Sequence, residues 1–206
     1  MYRISTATLV FGAVLISSSL WASPTFAIDF NPLSYIKGAV EAAVEDRSSG
    51  DIAKDLEIKA KITAEVIDKM GTDVISITAD VYEQDVMLTG TVETPQQRLQ
   101  ASSVTRGIKD VKKVFNEVKV VKKIDEKKGV VENFVDDAVI ESKINALLLD
   151  ASGVNVTNFR WRSVGGDVFL FGRALEADEL RKALKVIKEI KNVASLTSRV
   201  KIRPKK

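Results

Sequence analysis

The chain contains no cysteine and no histidine. Without imidazole it has no ordinary neutral-pH base and no nitrogen ligand for zinc, and without thiolate it has no sulfur nucleophile, iron-sulfur ligand or disulfide. Serine-histidine triads and zinc sites therefore lack their residues. Aromatic residues make up only 6%, and the 11 glycines are scattered, in neither the G-x-x-x-x-G-K-[ST] nor the G-x-G-x-x-G spacing that cradles phosphates or dinucleotides. The chain reads as non-enzymatic, with no cofactor, no metal and no small-molecule substrate. Net charge is small as well: 31 Lys and Arg stand against 28 Asp and Glu, too balanced to call for nucleic acid.

What remains is ordinary folded-protein composition, 45% hydrophobic and 29% charged over 206 residues, room for one domain or two small ones. Residues 1–27 carry a single charge, Arg3, then an apolar run to Leu20, and end in Thr25-Phe26-Ala27, small residues at the two positions a signal peptidase reads. This predicts a cleaved signal peptide and a periplasmic protein; the run is also nearly long enough for an uncleaved signal anchor. With no cysteine to acylate, a lipoprotein is not expected, and no disulfide can support the fold. Residues 28–54 predict a lead-in with a short amphipathic helix, Leu33, Ile36, Val40, Ala43 and Val44 on one side, followed by the polar stretch 46–50.

Sliding the sequence on itself by 82 positions aligns 55–121 with 137–203 without a gap, with 19 of 67 positions identical. Within each copy the pattern is the same. Ile58, Ile62 and Val66 predict a helix from about 55 to 70 with Gly71 at its end, and two alternating segments follow around a turn at Glu83-Gln84, or Gly165-Gly166 in the second copy. Thr94-Pro95 predicts the capped start of a second helix, and residues 114–121 a third strand. The expected fold is α+β: two tandem modules, 55–121 and 136–203, each helix-strand-strand-helix-strand with a three-stranded sheet, joined by a charged, solvated linker at 122–135 and followed by a basic tail at 204–206. Modules this small are marginal alone, so they are expected to pack on each other or on the flanking segments.

The residues Asp85-Val86-Met87-Leu88-Thr89-Gly90-Thr91-Val92 and 107–118, with their counterparts at 167–173 and 190–200, resemble the BON domain, in the arrangement of the periplasmic dual-BON proteins and dual-BON lipoproteins of Gram-negative bacteria. The resemblance implies a non-enzymatic envelope protein that associates with phospholipid surfaces and supports outer-membrane integrity or survival of osmotic stress; some members are proposed folding helpers. The family's second-strand glycine falls at Gly90 and Gly172, where an absent side chain would admit the close approach of a helix. The aromatic residue of lipid-binding members, in the opening turn of the second module's first helix, is Val139 here, with Phe134 nearby as a substitute or as a packing residue.

Repeated carboxylates at Asp55, Asp137, Asp85 and Asp167 are read as structural, Asp137 at a helix entry and Asp167 at the exit of a turn. The two copies differ most on one sheet face. Alternation puts Asn158, Arg160, Arg162, Phe169, Phe171 and Arg173, with Arg199 and Lys201, opposite the helices of the second module, a basic and aromatic face, whereas the first copy offers Asp80, Met87, Phe115 and Glu117. Residues 136–206 hold 14 basic and 9 acidic side chains, net +5; residues 55–121 hold 9 and 11, net −2. Arginine forks beside rings suit anionic phospholipid headgroups, or an envelope protein partner in a chaperone-like role; otherwise the rings are covered by the first module, by residues 33–44 or by a second chain. Arg181, Lys182, Lys185, Lys188 and Lys191 read as a solvated helix face.

Overall fold

A computed structural model describes residues 45–71, 76–121 and 126–204, with the side chains of 126–135 left aside; the expected signal peptide and lead-in helix lie outside the described residues. Helix α1 (Ser49–Met70) starts earlier than the apolar stripe predicts, because Ser48 caps it, accepting the Asp51 N–H at 3.1 Å. It ends where predicted, at Gly71 (φ 79°), whose N–H reaches the Ile67 carbonyl. Strands β1 (Thr78–Tyr82) and β2 (Asp85–Thr89) form the hairpin, and β3 (Thr91–Val92) continues β2 beyond Gly90. Helix α2 (Pro95–Arg106) opens on a capping box, Thr94 and Gln97 satisfying each other's backbone N–H, and β4 (Lys113–Asn116) with β5 (Lys119–Val120) supplies the third strand. The second module repeats the order: α3 (Glu126–Asp150), a 3-10 turn, β6 (Phe159–Val164), β7 (Asp167–Ala174), α4 (Ala177–Lys188) and β8 (Ser195–Ile202).

The repeat holds at the level of individual backbone pairs. Val81 pairs with Val86 in the first hairpin and Ser163 with Val168 in the second, each position advanced by 82. Both modules then add the third strand parallel in matching register, Asp85 beside Lys113 and Asp167 beside Ser195. Each sheet buries one face under its two helices. Ile58, Ile62, Val66, Val86 and Leu88 centre one core, and Ile140, Ile144, Leu148, Val168, Leu170 and Ile187 the other.

Gly90 and Gly172 occupy matching places, with φ of 110° and 115°. What approaches them is backbone, not a helix: a Cβ would collide with the carbonyl oxygen of Ser76 or of Asn158 beside the hairpin's first strand. Asp167 opens β7 at the exit of the turn, as expected, whereas Asp55 and Asp137 do not open a helix. Asp55 and Asp137 lie inside helices and clasp the hairpin turns, Asp55 accepting the N–H groups of Glu83 and Gln84 at 2.7 and 2.8 Å and Asp137 those of Gly165 and Gly166 at 2.6 and 2.9 Å. The clasp lets non-glycine residues hold the first turn, with Glu83 at φ 53° and Gln84 at φ 63°. Asp137 is not at a helix entry because α3 begins at Glu126, so most of the expected linker is helix. Lys and Glu favour helix nearly as well as they tolerate solvent, and charge alone does not separate the two states.

Candidate functional site

The outer faces of the two sheets are pressed against each other. Tyr82 and Met87 from the first module and Phe169 and Phe171 from the second form a third apolar cluster, with Phe115 and Val164 at its margin. Phe115 meets Phe171 edge to face at 6.0 Å, and Phe171 is 1% exposed. The rings expected to meet an anionic partner are therefore covered by the first module and are core rather than surface, while the basic side chains at the rim stay partly exposed, Arg162 at 33%.

Around this cluster every arginine of the expected site has a carboxylate from the first half of the chain. Arg160 reaches Glu45 at 3.0 Å, Arg162 reaches Asp80 at 2.9 Å, and Arg173 binds Glu83 and, at 2.8 Å, Asp46. Arg199 pairs with Glu117 at 2.6 Å and Lys201 with Asp85 at 2.7 Å, while Lys119 reaches back to Asp167 at 2.6 Å. The polar stretch ahead of α1 takes part: Arg47 lies over the Tyr82 ring, tied to Glu45 and Asp55, and the Asp46 N–H donates to the Asn158 side chain at 3.2 Å. Desolvation of Asp80 would raise its pKa, but Arg162, Lys59 and Arg160 outweigh it and hold the carboxyl below its ordinary value. Burial pushes the Tyr82 hydroxyl up to about 12, against the pull of Arg47. Burial also raises Glu141, which Arg162 opposes from 3.7 Å.

With the sheet face occupied, the second module still presents exposed basic charge on its helices. Arg181, Lys182, Lys185, Lys188 and Lys191 are all exposed on or just beyond α4, whose Leu180, Ala183, Leu184 and Ile187 face the core. Asp178 pairs with Arg181. The neighbouring α3 exposes Val139, Leu147 and Leu149, at 45%, 44% and 60%, at more than one position around its axis. Lys182 ties the two helices together, donating to the Ser152 carbonyl just past α3 at 3.2 Å. The equivalent layer of the first module differs in part: it exposes Leu56, Ile67 and Leu99 and is basic at two of the five corresponding positions. Val139 and Leu147 correspond to Glu57 and Glu65, which pair with Lys61 and Lys69, and the five basic positions correspond to Leu99, Gln100, Ser103, Arg106 and Lys109. Of the sequence-derived candidates, Val139 alone is placed on this surface; the Phe134 side chain lies outside what is described. Arg181 to Lys191 are legible in the sequence as a basic helix face, a pattern that is usually solvated surface.

The BON domain model matches residues 54–122 and 136–204. A protein of Anaplasma centrale, "Uncharacterized protein in gshII 5'region", is 34% identical over 131 residues, 64% of this chain and 84% of that one. Osmotically-inducible protein Y of Escherichia coli (strain K12) is 28% identical over 149 residues, 69% of this chain and 73% of that one. A solved structure of CdsD, a structural protein of the type III secretion system of Chlamydia trachomatis, covers 72% of this chain and 93% of its own at 11% identity, but with a TM-score of 0.32 it carries no argument. One matched segment per repeat copy, each over a helix-strand-strand-helix-strand module, places the chain in the BON-domain family, as a tandem dual-BON protein resembling osmotically-inducible protein Y.

Proposed function

We propose that the protein is a non-enzymatic, periplasmic envelope protein that attaches peripherally to anionic phospholipid surfaces and serves outer-membrane integrity under osmotic stress. Its relative in Escherichia coli is named for osmotic induction, which supports the physiological setting. The observation that carries the lipid reading is the helical layer of the second module, which exposes five basic residues in the α4 region and, on α3, the apolar Val139, Leu147 and Leu149. Lysines near an anionic leaflet are attracted by its surface potential, and apolar side chains beside them can enter the headgroup boundary. This face replaces the sheet face of Arg160, Arg162, Phe169, Phe171 and Arg173, whose charges are already paired within the chain. No described helix is long and apolar enough to cross a membrane.

Co-sedimentation with vesicles tests the reading. Binding to vesicles containing phosphatidylglycerol, weakening steeply as salt rises and absent with phosphatidylcholine alone, is the expected result. Equal binding to both vesicles, insensitive to salt, would overturn the electrostatic reading and favour a chaperone-like module that takes up apolar segments.

A further inference from the structure

Two of the ion pairs between the sheets join residues that are 82 apart, Asp80 with Arg162 and Glu117 with Arg199. Since 82 is the repeat offset, each of these side chains faces its own counterpart in the other copy. Two more pairs are reciprocal: Asp85 binds Lys201, and Asp167 binds Lys119, where Asp167 and Lys201 are the counterparts of Asp85 and Lys119. Self-facing and reciprocal contacts together define a twofold relation, so the modules meet as the subunits of a symmetric dimer do. The reciprocal pairs use the same residues in both copies and would form in any pairing of two modules. The self-facing positions discriminate. Pairing first module with first module would set Asp80 on Asp80 and Glu117 on Glu117, and second with second would set arginine on arginine.

We infer that the sheet faces are a charge-coded recognition pair: the second module's face takes as its partner the acidic sheet face of a BON module, supplied here in cis by the first module and, in trans, by a second copy of this chain. The shared pairs give docking, and the two self-facing pairs choose which face docks with which, by repulsion against the like pairings. The two self-facing pairs supply part of the contrast between +5 and −2, Asp80 and Glu117 on one side and Arg162 and Arg199 on the other.

The test uses full chains carrying E141Q and K59Q, because Glu141 also faces Arg162 and Lys59 also faces Asp80. One chain carries D80R and E117R, making both faces basic; the other carries R162E and R199E, making both acidic. Each alone is expected to lose about 5–10 °C of Tm from like charges in contact, and the chain with all four reversals to regain most of it. Mixing the two mutually complementary chains should give a one-to-one heterodimer by sedimentation velocity. Unchanged Tm in the two-residue reversals, or no recovery in the four-residue chain, would overturn the code; recovery in cis with no complex on mixing would overturn the second copy as partner.

Discussion

Protonating Asp80 would leave Arg162 and Lys59 facing a neutral group at the junction of the two sheets. Its pKa is lowered in the folded protein, so its contribution to stability is present above the unfolded value of about 4 and is lost as pH falls through that value toward the folded one. Asp80→Asn is therefore expected to lower Tm at pH 7 and to flatten the acid limb of the Tm–pH curve; a parallel, unshifted acid limb would deny the carboxylate this role. Gly172 shows what single residues disclose before a structure exists. Its importance was legible from its recurrence at Gly90, but the reason was not, since a positive φ and a neighbouring carbonyl leave no trace in composition. Gly172→Val must resolve both the strain, about 1–3 kcal/mol, and the clash with the Asn158 carbonyl. Thermal denaturation should show a loss above about 5 °C, and an unchanged Tm would refute the close approach.

Elements announced themselves where local chemistry decides them. Ile58, Ile62 and Val66 at fourfold spacing, the Thr94-Pro95 cap and the Gly165-Gly166 turn all appear where expected, because each is settled by neighbours in sequence. The start of α3 was hard to read, since Asp125 ahead of Glu126 is a cap candidate but the charges of 122–135 suit a helix or a connector equally. The helix-to-hairpin clasp was also hidden, because Asp137 and the turn it holds are 28 residues apart. Asp137 accepts two turn N–H groups and the Ser163 hydroxyl. Asp137→Ala should cost about 2–3 kcal/mol, and Asp55→Ala, with the same two backbone bonds and Arg47 besides, at least as much. Chemical denaturation of both variants would check this, and losses below about 0.5 kcal/mol would show the turns to be self-supporting.

For the molecule as a whole, alternation of residues assigned Arg160, Arg162, Phe169, Phe171 and Arg173 to one face, and the structure keeps them there. It could not say what lies across that face. Basic charge and rings look alike whether they await a phosphate or a carboxylate of the same chain, and only the pairing of counterparts such as Glu117 and Arg199 separates the cases. Once those charges are neutralised internally, the helical layer of the second module is the surface the lipid reading rests on. The most direct measurement compares the parent with Lys185→Gln, Lys188→Gln and Lys191→Gln combined, three exposed residues on or just beyond α4, by co-sedimentation with anionic vesicles at low salt. At about 1 kcal/mol per lysine, affinity should fall roughly a hundredfold while Tm stays unchanged; a variant that sediments as the parent does would contradict the account.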